Sequence, residues 1–326
     1  MFRLFHSMFG SSATKGGYPE SLVKEAIERA VDGTDPWIRG VSGYQKKLRP
    51  AVIKAIDHVV ALVDSLPSPL VIGPGSYGSD PRLRAFFIST DDMRKTFGAD
   101  RNLNDFRRTS GETPPQVFAL LTIDKQEKGI LGVELSGDIV MHGVPQITVS
   151  FEDHRLIDPT ASEVETRRQL KRRAYDHLLG LALRRIALLK SERSDLDRRR
   201  SLLQSKLSLL ERSGWGFEES DSPESLTVAG VEELLGTLEA QLQELGGDDR
   251  ILEAYLDIVA DVLGRPEEQL WGRQIALFVD RMGIKRTEAA DDAPELTLFE
   301  LENAGGVRRI AALVALSAQL LLELPE

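Results

Sequence analysis

With 326 residues, 41% of them apolar, the chain is too long for a mini-domain and can bury one or two ordinary cores. It has no cysteine, which excludes disulfides, thiolate metal sites and cysteine nucleophiles by inventory and fits a reducing compartment. The net charge of −10 argues against a nucleic-acid binder, yet it is unevenly spread: residues 161 to 212 hold 14 Lys and Arg against 7 Asp and Glu, whereas 213 to 326 hold 8 against 24.

Residues 1 to 18 begin MFRLFHSMFG, with no apolar stretch of signal-peptide length. They read as a flexible N-terminus, and a cytoplasmic protein of bacterial type is expected. An α+β head is predicted over 19 to 160. PESLVKEAIERAVDG places Leu22, Val23, Ile27 and Val31 at helical spacing and stops at Gly33; YQKKLRPAVIKAIDHVVALVDSLP repeats the pattern, with Pro50 as a start or kink. Trp37, between the two, reads as a buried anchor. SPLVIGPGSYGSDPRLRAFFIST reads as a turn-rich loop feeding a short strand at 84 to 89, followed by two short helices, TDDMRKTFG and ADRNLNDFRR.

From 116 to 152 the apolar period drops to two. QVFALLTID, ILGVELS, IVMH and QITVSFE, separated by KQEKG, GD and GVP, predict an antiparallel β-meander with one apolar face: Ile147, Val149 and Phe151 alternate with Thr148, Ser150 and Glu152.

Ser162 and Glu165 then have capping-box spacing and announce a helical arm over 161 to 264. Its outgoing helix, 163 to 212, contains no proline and one glycine, Gly180, and would extend roughly 75 Å at 1.5 Å per residue. Steps of four and three from Tyr175 reach Leu179, Ala182, Ile186, Leu189, Arg193, Leu196, Arg200, Leu203, Leu207 and Leu210, a heptad seam broken by two arginines. A second row, Leu181, Leu188, Leu202 and Leu209, widens the apolar face. RSGWGFEESDSP at 212 to 223 reads as a chain reversal, and the return over 228 to 264 places Val231, Leu235, Leu238, Leu242 and Leu245 on a seam of its own. A basic rod followed by an acidic one predicts an antiparallel coiled coil within the chain, with a two-chain coiled coil and an isolated basic helix as alternatives.

The C-terminal segment, 265 to 326, is predicted as helix, strand, helix returning to the head. LWGRQIALFVDRMGI puts Trp271, Ile275, Phe278 and Met282 on one helical side, a strand at 295 to 302 pairs with the meander, and IAALVALSAQLLLELP reads as a buried helix too short to span a bilayer.

Chemistry is sparse by comparison. GPGSYGSD at 73 to 80 lacks the Gly-Lys-Ser/Thr of a phosphate-binding loop, and no carboxylate lies close enough to Asp80 for a nucleotidyltransferase metal pair. The five histidines show no ligand spacing, and Asp57-His58, Asp153-His154 and Asp176-His177 are sequence neighbours that face different ways. No metal, cofactor or membrane span is predicted. The basic cluster Arg167, Arg168, Lys171, Arg172 and Arg173 has few acids beside it and is the candidate anion or nucleic-acid contact. The expectation is a non-enzymatic coiled-coil scaffold or adaptor acting on a protein partner or as a homodimer; the alternatives are a nucleic-acid-associated protein using that cluster and a nucleotidyltransferase-like enzyme using Asp80.

Overall fold

The computed structural model describes residues 17–111, 114–136, 139–213, 228–245, 250–290 and 292–324, and the side chains of 134–136, 139 and 209–213 are outside that description. In chain order it runs α1 (Glu20–Asp32), a 3-10 turn (Pro36–Gly40), α2 (Tyr44–Asp64), β1 (Leu70–Ile72), α3 (Ser76–Ser79), α4 (Pro81–Phe86), α5 (Thr90–Gly98) and α6 (Arg101–Thr109). Then come β2 (Gln116–Ser136), β3 (Ile139–Thr160), the 51-residue α7 (Glu163–Ser213), α8 (Val228–Glu244) and α9 (Ile251–Gly264). The chain closes with β4 (Leu270–Val279), β5 (Lys285–Arg286), β6 (Glu295–Asn303), β7 (Arg308–Ser317) and α10 (Ala318–Glu323). Two compact units share these elements: a helical unit, with residues 17–56 and Asp176–Pro266, and a β unit, with Asp57–Tyr175 and residues 267–324. The division differs from the expected head and arm, because α1 and most of α2 group with the later helices.

In the helical unit α1 buries Val23, Ala26, Ile27, Ala30 and Val31 along one stripe. The anchor after it is Ile38, which is fully buried; Trp37 is 78% exposed, so the expectation for that residue is reversed. Helix α2 starts at Tyr44, upstream of Pro50. Helix α7 runs unbroken through Gly180. On it Leu179, Ala182, Ile186 and Leu196 are buried and Leu189, Arg193, Arg200, Leu203 and Leu207 half-buried, while Leu188 and Leu202 of the second row are exposed. Leu210 lies among the side chains outside the described set, as does most of the reversal at 212 to 223. Helix α8 buries Val231, Leu235 and Leu242 and half-buries Leu238, with Leu245 half-buried just beyond its end. Several polar ties join the unit's elements. Lys190 reaches the buried Asp35 at 2.7 Å and lies 4.9 Å over the Tyr255 ring, Arg185 pairs with Asp261 at 3.1 Å, and Arg29 forks onto Asp176. A buried leucine contributes about 1.5–3 kcal/mol, whereas a solvent-exposed ion pair contributes about 0–1 kcal/mol, so burial dominates here and charge selects.

The β unit departs further from expectation. Instead of a four-stranded meander, residues 116 to 160 form one long hairpin: KQEKG is mid-strand, and Lys125 pairs with Phe151. LWGRQIALFV is strand β4, not a helix, and RRIAALVALS is strand β7, with only Ala318–Glu323 helical after it. The stretch at 84 to 89 is no strand; β1 lies earlier, at Leu70–Ile72. The sheet order is β3-β2-β7-β6-β4-β5, antiparallel throughout, with β1 added in parallel to β7. Strand β6 therefore pairs with β4 and β7, and it is β7 that joins the hairpin, through Gln116–Ile123 on Ser317–Ile310. A bridge between Thr148 and Ile284 and a 2.7 Å bond from the Val149 amide to the Gly283 carbonyl bring the last strand back to the first, so the sheet nearly closes.

Closure is helped by three irregularities on β3. Asp158, Asp153 and Gly143 all have positive φ, 50°, 52° and 75°, and each sits at a break in the β2 register, where one extra β3 residue bends and twists the ribbon. Alternate residues then point inward: Val117, Ala119, Leu121 and Ile123 of β2 meet Leu277 and Val279 of β4, Leu296 and Leu298 of β6, and Ile310 and Val314 of β7 in one core. Leu83, Phe86, Phe87, Met93, Phe97 and Leu103 from α4 to α6 join the same core. On the outer face Leu62, Val63 and Leu66 at the end of α2 and Leu170 of α7 pack on Phe299, Ala311 and Leu313. Phe299 lies across Gly272, where a Cβ would come within 2.5 Å of its ring, so this position requires glycine.

Candidate functional site

The inward alternation of β2 changes chemistry at Lys125. Below it the interior is apolar; from Lys125 onward the same face carries charge, and a cavity of about 270 Å³ is lined by Lys125, Glu127, Glu300, Arg308, Arg309 and Ile310. Glu300 is the centre. Its side chain is only 3% exposed, Arg273 donates to it at 2.7 Å and Lys125 lies 3.5 Å away. Lys125 also pairs with Glu127 at 3.1 Å, Glu127 with Lys285 at 2.9 Å, and Arg308 with Glu302 at 3.1 Å. Outside this ring Arg309 is held by Asp153. Burial alone would raise the Glu300 carboxyl, but the hydrogen bond from Arg273 and the charge of Lys125 outweigh it and hold its pKa below the usual carboxylate value. Glu127 is lowered as well, first by the Lys285 hydrogen bond. A general acid at neutral pH needs a raised carboxyl, and these two are moved the other way. The barrel mouth is thus an ion-pair network whose carboxylates stay charged, suited to locking strand ends together or meeting a charged ligand.

The basic cluster is deployed inward. Arg167 is bonded to Glu163 at 2.8 Å and donates to the Val63 carbonyl at 2.8 Å, close to the last turn of α2, where unpaired carbonyls and the negative end of the helix dipole favour a cation. Arg168 pairs with Glu165, Lys171 with Asp64 and Arg173 with both oxygens of Asp158. Arg172 is half-buried and has an interaction of its own. The acids that satisfy these groups come from the helix itself, from α2 and from the β3 bulge at Asp158, two of which no local reading of RRQLKRR would count.

The other sequence candidates resolve into structure. Asp80 caps α4: its oxygens accept from the Arg82 backbone amide and guanidinium, which hold its pKa down against the effect of burial. His58 bonds the Leu270 carbonyl, and His154 bonds that of Phe86 while stacking on Phe87 at 4.7 Å. Asp153 and Asp176 turn to arginines instead of their neighbouring histidines. No group of three or more His, Asp or Glu suited to a metal occurs among the described residues, and no helix there is long and apolar enough to cross a membrane. No protein-family model matches the chain, and none of the curated proteins or solved structures compared with it gives a match.

Sequence reasoning missed the barrel mouth because its parts are scattered over five strands. One signal was available: Lys125 and Glu127 continue the inward parity of Leu121 and Ile123, a pattern hidden by assigning KQEKG to a turn.

Proposed function

We propose that the protein is a non-catalytic interaction protein, in which α7 and α8 zip into an antiparallel coiled-coil hairpin and present a second leucine row to a protein partner. The observation that carries this reading is the split between two rows on the same helices. Leu179, Ile186 and Leu196 on α7 and Val231, Leu235 and Leu242 on α8 are buried, whereas Leu188 and Leu202 are 65% and 57% exposed and Leu234 on α8 is exposed too. Leu188 and Leu202 are two heptads apart and share a face, the arrangement that accepts a third helix. Trp37, in the 3-10 turn whose Asp35 cap is held by Lys190, adds an exposed aromatic of the kind enriched at interface centres. The nucleic-acid reading loses support because Arg167, Arg168, Lys171 and Arg173 answer internal acids, and the nucleotidyltransferase reading because both oxygens of Asp80 accept from Arg82.

Because the chain has no cysteine, single cysteines carrying a photo-reactive group can be placed at will. Attached at Leu188 or Leu202 in cell extract, the probe is expected to form adducts heavier than the chain; attached at Leu196, it is expected to react within the chain, onto α8. Intramolecular products alone at all three positions would remove the partner surface, and failure of Leu196 to reach α8 would remove the hairpin.

A further inference from the structure

The β2–β3 hairpin outruns its own sheet. Pairing of β2 with β7 stops at Ile123, and the last bridge from β3 to another strand is at Thr148. Beyond these points, among the described residues, the ribbon has two strands only. Such a ribbon is marginal in water unless a third strand or a packed surface covers one face. The face in question can be read from the register. Gly129 opposes Ile147, Leu131 opposes Pro145 and Val133 opposes His142, so Leu131, Val133 and Ile147 share the side that continues the barrel interior. Val140 falls on the same side. Leu131 is 77% exposed, and Val133, Val140 and Ile147 are each about half exposed or nearly so. The patch does not end at the ribbon: Val133 lines a shallow hollow of about 530 Å³ with Met282, itself 81% exposed, Ile284 and two charges of each sign, Asp280, Asp292, Arg281 and Arg286.

From this we infer that the ribbon face is a self-association surface, occupied by the same face of a second copy. Three features select that occupant. Residues 129 to 133 and 139 to 151 contain no Asp, Glu, Lys or Arg, and the charges lining the adjoining hollow balance, Asp280 and Asp292 against Arg281 and Arg286, so the face has no net charge by which a partner of one sign would be recognised. On a chain of net charge −10, a patch without net charge is also where two copies approach without like-charge repulsion. Five exposed apolar side chains make a patch on the order of 500 Å². Two such patches face to face come close to the roughly 1,200 Å² at which specific interfaces begin. A two-fold axis would stack the ribbons as a small sandwich, each supplying the cover the other lacks. Edge pairing is the weaker geometry, because Pro145 and the Gly143 bulge interrupt the outer edge of β3.

Light scattering on the full chain tests it. Wild type should run at twice the 36.1 kDa chain mass at micromolar concentration. Leu131→Glu and Val140→Glu, both at exposed sites, should weaken dimerisation at least about tenfold with an unchanged circular dichroism spectrum. Leu188→Glu, on the helical surface proposed above, should leave the mass doubled, so the two surfaces fail separately. A wild type that stays at single mass, or a dimer lost in Leu188→Glu and kept in Leu131→Glu, overturns the inference. A monomer that instead floats with phosphatidylcholine vesicles through Leu131 would assign the face to a lipid surface and overturn it equally.

Discussion

Ile186 on α7 and Val314 on β7 are both fully buried, yet only the first was identifiable as the core of the right element. The helix is wet on most sides, so its apolar positions recur every three or four residues against a polar background, and the period names the buried face. Strand β7 is covered on both sides, by the barrel interior at Val314 and Leu316 and by α2 at Ala311 and Leu313. A strand buried on both faces loses its alternation and becomes a continuous apolar run, which a helix also produces. Periodicity therefore reports burial asymmetry, and it fails where a strand has none.

Replacing Ile186 by Ala against Leu188 by Ala tests the helical half of this comparison most severely. The two lie two residues apart on one helix, with similar side-chain volumes and opposite burial. Ile186→Ala should lower stability in urea by about 2–5 kcal/mol, as a transfer loss plus a cavity. Leu188→Ala should stay within about 0.5 kcal/mol of wild type. Equal losses would mean that both rows are core, and the exposed surface assigned to a partner would disappear.

What was legible follows the same rule. The start of α7 and the burial of Leu179, Ile186 and Leu196 on it and of Val231, Leu235 and Leu242 on α8 were readable because each depends on neighbours within a few turns. Helices α5 and α6 were readable as two short pieces, and in the structure Ser89 and Asp100 cap them by accepting from the Asp92 and Leu103 amides. The misreadings need distant information. Trp37 and Ile38 are adjacent apolar residues in a turn, and only the packing around the turn decides which is buried. KQEKG has turn composition, but in β2 its Lys125 and Glu127 are satisfied by Glu300 and Lys285, more than 150 residues away. The basic cluster likewise looked unbalanced until Asp64 and Asp158 were brought beside it.

Gly272 sharpens the β side of the comparison with a smaller effect. A methyl at that position would press on the Phe299 ring and on Leu62, whose methyl is 3.0 Å from the Cβ site. Gly272→Ala should cost about 1–3 kcal/mol by overpacking. Combining it with Phe299→Leu should recover part of the loss, which would show the ring, not the backbone, to be the obstacle. Full additivity of the two changes would instead place the strain in β4 itself, contrary to the packing described.

The smallest effect is set by pH and separates buried histidines from the ion-pair network. Burial lowers the pKa of His154, against the opposing pull of its bond to Phe86, and burial followed by the charge of Arg184 lowers that of His177. A histidine whose folded pKa lies below its unfolded value of about 6.5 contributes stability that is whole above that value and is lost as pH falls toward the folded pKa. Glu300 and Glu127, held below the usual carboxylate range, contribute stability that is whole above that range and is lost only as pH falls below it. Between pH 7 and about 5 the decline should therefore come from the histidines, with a slope of at most about 1.4 kcal/mol per pH unit for each proton taken up. His154→Gln should flatten that decline in urea midpoints and leave the steeper loss in the carboxylate range intact. A wild-type profile flat from pH 7 to 5, or a decline untouched in His154→Gln and His177→Gln alike, would show that neither ring resists protonation in the folded chain.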